Sequence, residues 1–106
     1  MKFSIRKVDI RNQAMVSLLM FLQKQILPED IPYKPQRGHW WVAYAEDGKP
    51  VGFAGLVRST RWNDTGYLCR AGVMDGFTGH GLQKRLIKVR LQQAKIGKST
   101  RLNSSH

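Results

Sequence analysis

Acidic residues are scarce in this chain and then stop altogether. Its 106 residues hold seven Asp and Glu against eighteen Lys and Arg, a formal net charge of +11, and Asp75 is the last acid. Beyond it come Lys84, Arg85, Lys88, Arg90, Lys95, Lys98 and Arg101. Long-range attraction to a polyanion is therefore confined to the C-terminal part. Cysteine is nearly absent too. Cys69 alone excludes an intrachain disulfide and a thiolate-cluster metal site, and it fits a reducing compartment. Long apolar runs are missing: the longest, Ala14 to Leu22, is too short to span a bilayer and runs into Gln23 and Lys24. Asp9 and Arg11 precede it and no small-residue cleavage site follows, which argues against a signal peptide. The expectation is a cytoplasmic protein with no membrane partner. There is no internal repeat and no low-complexity segment, and the length leaves room for one small domain with a single core.

What is present changes period several times along the chain. Phe3 to Val8 alternates polar and apolar residues, which predicts a short first strand. Met15, Leu18, Leu19, Leu22 and Ile26 then follow helical spacing, with Asn12 as N-cap and Pro28 as the stop. Three prolines between Pro28 and Gly38 predict a loop or one irregular turn. His39 to Ala45 and Pro50 to Arg58 are aromatic and β-branched runs joined by Glu46-Asp47-Gly48-Lys49, the chemistry of a hairpin turn. Trp40 and Trp41 are neighbours on a strand and so point to opposite faces, which places at least one of them in the core. Ser59 to Gly66 is a polar connection, and Tyr67 to Val73 is a third strand of the meander. Leu82, Leu86, Ile87, Val89, Leu91 and Ala94 predict an apolar helical stripe, with Lys84, Lys88 and Lys95 on the opposite side and Gly97 as the stop. That order of elements predicts an α/β (α+β) layer structure built on a mostly antiparallel meander.

The segment from Val73 to Gln92 is the most informative. An apolar strand end passes through a glycine-punctuated turn directly into a basic amphipathic helix. Gly79 and Gly81 have no Cβ, so the backbone can adopt conformations other residues avoid and can approach a ligand closely. The unpaired N–H groups of the helix start, with the positive end of the helix dipole, suit a phosphate or pyrophosphate. Lys84 and Arg85 stand where helix formation alone favours Asp or Glu, which fits a site that carries an anion.

The order of elements, together with Val73-x-x-x-Phe77-Thr78-Gly79-His80-Gly81-Leu82-x-x-x-Leu86, resembles the GNAT superfamily of acetyl-CoA-dependent N-acetyltransferases. The signature of that family runs from a strand ending in Val into Arg or Gln, Gly, any residue, Gly, any residue, Gly or Ala. Gly79 and Gly81 match it, and Phe77, Leu82 and Leu86 fit its aromatic and sheet-facing positions. Thr78 stands where Arg or Gln is usual, and Gln83 where the last Gly or Ala is usual. A Walker loop would need Lys-Ser or Lys-Thr after its last Gly, and a dinucleotide fingerprint would need its glycines near the first strand of a parallel unit. The resemblance covers Phe3 to about Gly97. It implies a partial, C-terminally truncated domain over residues 1–97, followed by a tail, residues 98–106, read as a short edge strand or as disordered.

The resemblance implies acetyl transfer from acetyl-CoA, as co-substrate, to an amine on a small molecule or a protein, with no metal. Backbone N–H groups from Thr78 through Gly79, His80, Gly81, Leu82 and Gln83 to Lys84 would hold the pyrophosphate, with Lys84, Arg85 or Lys88 adding charge. The strand end from Ala71 to Val73 would offer backbone groups to the pantetheine arm and polarise the thioester carbonyl. The attacking amine must lose a proton, and Asp64 is the first candidate to accept it, although Asn63-Asp64 is typical loop composition and favours a capping or turn role. Tyr67 reads as an acid or as a packing residue, Cys69 as a small buried residue, and His80 as a phosphate-facing or a solvated loop residue. Two other function classes stay open: a CoA-binding domain without turnover, and a small basic nucleic-acid-binding module. The second is supported only by the C-terminal charge and the nearby aromatics, and the basic residues read as the solvated face of an amphipathic helix, so nucleic acid is not the expected partner. An uncompleted sheet leaves an edge that invites pairing, which keeps a homodimer open.

Overall fold

A computed structural model describes residues 2–58 and 67–104. The alternation at the N-terminus forms strand β1 (Phe3–Lys7), with Phe3 and Ile5 packed toward the core. Helix α1 (Gln13–Ile26) starts where Asn12 caps it, its Oδ1 accepting from the N–H groups of Ala14 at 2.9 Å and Met15 at 3.4 Å. Val16, Leu19 and Leu22 are its buried stripe, and it closes ahead of Pro28 with the Leu27 N–H donating to the Gln23 carbonyl at 2.8 Å. Strands β2 (His39–Ala45) and β3 (Pro50–Arg58) form the expected hairpin. Gly48 takes φ +87°, and the Ala45 N–H donates to the Lys49 carbonyl at 2.9 Å. Strand β4 (Tyr67–Val73) completes a four-stranded sheet of order β1-β2-β3-β4, antiparallel at every pairing.

Lys7 stands opposite Trp41, Trp41 opposite Ala54 and Ala54 opposite Ala71, and the β2–β3 register shifts by one residue between Ala43 and Tyr44. Helix α2 (Leu82–Ser104) covers the face that carries Trp41, Ala43, Leu56 and Val73, through Leu82 and Leu86. Helix α1 covers the other face, where Trp40, Val42, Phe53 and Val57 meet Leu19 and Leu22. The adjacent tryptophans therefore serve two different core clusters, and both are buried. Burial first, and then the charge of Lys7, hold the His39 imidazole below its ordinary pKa, in keeping with its place beside the Trp41 ring.

Two sequence expectations need correction. Helix α2 does not stop at Gly97 but continues to Ser104, so residues 98–104 are helical rather than an edge strand or a disordered tail. Leu91 is 54 % exposed and lies outside the apolar stripe, whereas Val89 and Ala94 do pack against the core. The polar connection Ser59 to Gly66, with Trp62 and Asp64, lies outside the described residues.

One buried polar side chain organises the loop after α1. Gln23 is 1 % exposed; its Nε2 donates to the Tyr33 carbonyl and its Oε1 accepts the Tyr33 N–H, both at 2.8 Å. The Tyr33 ring in turn stacks on Trp40, with centroids 6.1 Å apart. Substituting Gln23→Leu strands both backbone groups of Tyr33 and is expected to cost about 2 kcal/mol. Urea unfolding read by tryptophan fluorescence measures that loss, and an unchanged midpoint would show that the loop is held by other means.

Candidate functional site

The turn between β4 and α2 is built from three glycines in left-handed backbone conformations: Gly76 at φ +91°, Gly79 at +84° and Gly81 at +75°. Side-chain-bearing residues avoid that region, so the glycines are what lets the chain reverse from strand to helix in so few residues. Phe77 seats the turn on the hairpin side, in an edge-on contact with Phe3 at 6.3 Å and with the Lys49 ammonium 5.8 Å from its ring centre. The helical ladder begins with the Arg85 N–H donating to the Gly81 carbonyl at 3.2 Å. The N–H groups of Leu82, Gln83 and Lys84 thus precede the ladder and have no intrahelical acceptor. No acid stands in the first turn.

A cleft of about 480 Å³ opens at this junction. Thr78, Gly79, Gly81, Gln83 and Lys84 line it from the turn and the helix start, Gly72 and Val73 from β4, and Ile26 from α1. Of the residues singled out from the sequence, Val73, Thr78, Gly79, Gly81, Gln83 and Lys84 are brought together here. Three are not among its lining residues. Ala71 is half-buried against the α2-side core, Leu82 is buried in that core, and the exposed His80 places its ring 5.9 Å from Phe3. Arg85 is also turned away, its Nη1 donating to the Phe3 carbonyl at 3.2 Å, and Lys88 is exposed farther along α2. Tyr67 is the first residue of β4, paired with Arg58, while Asp64 falls outside the described residues.

Ile26 is a lining residue that sequence reasoning missed, and Gly72 was covered only as part of the strand end from Ala71 to Val73. A Cβ on Gly72 would lie 2.4 Å from Cγ2 of Ile26, so the strand can meet the end of α1 only because this position is glycine. Glycine inside a strand is a sign of such a close approach, and it was the available signal. A second cleft, of about 320 Å³, adjoins the first through the shared residues Ile26 and Val73; Gln25, Pro28, Met74 and Asp75 complete its lining. Among the described residues, β4 is hydrogen-bonded on one side only, to β3, which leaves backbone donors and acceptors along its other edge for an extended ligand. Among the same residues there is no group of three or more His, Cys, Asp or Glu placed to hold a metal ion, and no helix long and apolar enough to cross a membrane.

The geometry thus offers an anion cradle beside a free strand edge. A family model described as the acetyltransferase (GNAT) family matches residues 9–103. No curated protein matches the chain significantly. Among solved structures, an aminoglycoside acetyltransferase from an uncultured soil metagenomic sample is similar, with a TM-score of 0.65 and 11 % sequence identity over 92 % of this chain and 74 % of the other. At that identity the likeness is one of fold.

Proposed function

We propose, from the premise that this chain belongs to the GNAT acetyltransferase family, that it transfers the acetyl group of acetyl-CoA to an amine. The observation that carries this reading is the cleft where the positive-φ glycines Gly79 and Gly81 open directly into the basic, acid-free first turn of α2. The pyrophosphate of CoA fits the backbone N–H groups from Thr78 to Lys84, with the Lys84 ammonium adding charge and the helix dipole acting in the same direction. Thr78 offers a short hydroxyl where the family signature has a long side chain, which leaves Lys84 as the principal cation lining the cleft. The pantetheine arm then runs along the open edge of β4, where backbone groups from Ala71 to Val73 hold it and an N–H polarises the thioester carbonyl.

In the transfer step the neutral amine nitrogen attacks the thioester carbonyl carbon and the new C–N bond forms. The C–S bond breaks, the amine gives up one proton to a base, and CoA leaves as its thiol after taking up a proton. Asp64 is proposed as the base, and Tyr67 as the donor to the departing sulfur. No metal takes part in this scheme.

Isothermal titration with CoA is the direct test, followed by thiol release from acetyl-CoA with a panel of amines. The expected result is saturable CoA binding at well under about 1 mM and amine-dependent thiol release. Absence of CoA binding overturns the reading. Binding with no release for any amine reduces the chain to a CoA-binding domain.

A further inference from the structure

Among the described residues, two buried side-chain nitrogens have no hydrogen-bond partner: Nε of Arg70 and Nε of Arg90. A charged donor buried without an acceptor is unfavourable, and a ligand is one source of the missing partner. Arg90 belongs to α2, whereas Arg70 is the middle residue of β4, the strand along which the pantetheine arm is proposed to lie. At a strand's rise it stands about 10 Å from Tyr67 and about 10 Å from Val73. Its chain neighbour is Ala71, in the stretch of backbone proposed to polarise the thioester carbonyl.

The sheet sets the side on which Arg70 stands. Ala71 packs with the core under α2, so its neighbours Arg70 and Gly72 lie on the face that α1 covers. On that face the cross-strand row from Arg70 runs through Gly55 to Trp40, and neither carries a charge. The Trp40 ring lies over Gly55, and Ile26 lies over Gly72. Arg70 therefore rises half-buried between two apolar covers, on the same side of the sheet as Ile26, which lines the glycine-turn cleft. The one ion pair found among the described residues joins Asp9 and Arg11, so no described carboxylate neutralises Arg70.

Resting on the acetyl-transfer reading, we infer that Arg70 selects the acceptor: an amine that carries a carboxylate on the same small molecule, as an amino acid does. The guanidinium holds the carboxylate, and the amino group is left to attack the thioester beside Ala71. The planar fork of an arginine pairs with a carboxylate through two parallel hydrogen bonds, which gives orientation as well as charge. Arg70 is then a specificity residue and takes no part in bond making.

The test compares glycine, alanine, leucine and phenylalanine with their primary amides as acetyl acceptors, read by thiol release. At least one amino acid is expected to have a KM about tenfold or more below that of its amide, as a charge-assisted pair allows. Arg70→Gln is expected to bring the two KM values together with kcat on the amide unchanged. Arg70→Lys is expected to fall between, because lysine keeps the charge and loses the fork; should Arg70→Gln not fold, the reduced or undiminished preference of Arg70→Lys decides. Equal KM values in the unmodified protein, acetylation of amides or other amines alone, or a preference that survives the substitution overturns the inference. If no acceptor at all is acetylated, the acetyl-transfer reading fails by itself. Calorimetry of the same amino acids on the protein in the presence of CoA then decides this one: binding lost in Arg70→Gln upholds it, and no binding, or binding that Arg70→Gln leaves unchanged, overturns it.

Discussion

Gly55→Ala is expected to destabilise the protein by about 3 kcal/mol, near the upper end of what a single added methyl costs in a packed core. A Cβ at that position would lie 2.4 Å from Cζ3 of Trp40, 2.6 Å from Cε3 and 2.8 Å from Cη2. The ring has little freedom to retreat. Its Nε1 donates to the Arg37 carbonyl at 2.9 Å, Tyr33 stacks on it, and the residue is 1 % exposed. Overpacking therefore falls on an indole fixed by its hydrogen bond, its stacking partner and the sheet beneath it. Chemical denaturation measures the loss, and a double-mutant cycle identifies its cause. With Trp40→Leu in place, the same Gly55→Ala change meets no ring, so the two losses combine to less than their sum. Additive losses would show that the clash is relieved elsewhere.

That clash was not legible in the sequence, because it joins β2 and β3 through a register that only the folded sheet defines. What could be read was local. Asn12 as a cap, Pro28 as a stop and Asp47-Gly48 as a hairpin turn each act within a few residues, and each was found where expected. The glycine turn after Val73 was visible for the same reason. Ile26 as a lining residue was not, since its partner Gly72 lies on a different element far along the chain. His80 could be left only as a phosphate-facing or a solvated loop residue, because nothing near it in sequence reveals that Phe3 sits beside it. At Gly97 local propensity was overruled: one glycine inside a helix costs about 1 kcal/mol relative to alanine, which is not enough to end it.

Gly81→Val is expected to weaken CoA binding by about tenfold or more while the fold persists. Nothing lies within 4 Å of a Cβ built at Gly81, so the penalty is conformational rather than steric. At φ +75° a β-branched residue is strongly disfavoured, by about 1–2 kcal/mol or more. The turn relieves that strain by rotating, and the donors from Thr78 to Lys84 then no longer converge on one anion. A loss of about 1.4 kcal/mol in that convergence is a tenfold loss of affinity. Gly76→Val is the matched control. Gly76 has φ +91° and equally open surroundings but does not line the glycine-turn cleft, so it carries a similar strain with CoA affinity retained. Titration calorimetry on both variants, with melting temperatures to confirm folding, tests the idea. Equal loss in both would mean that the turn acts only as a connector.

The bond from Arg85 to the Phe3 carbonyl, and that from the Lys7 ammonium to Gln93 at 3.4 Å, join the first strand to the last helix. The β2-β3-β4 meander can assemble from neighbours as the chain emerges from the ribosome, but these links span 82 and 86 residues. Contacts of such separation form late, after the cost of closing the loop has been met. The docking of α2 against β1 is consequently among the last parts of the fold to be completed. A nascent chain still lacking α2 presents one face of its sheet bare, with Trp41, Leu56 and Val73 uncovered, and that is the stage at which it most needs protection from aggregation.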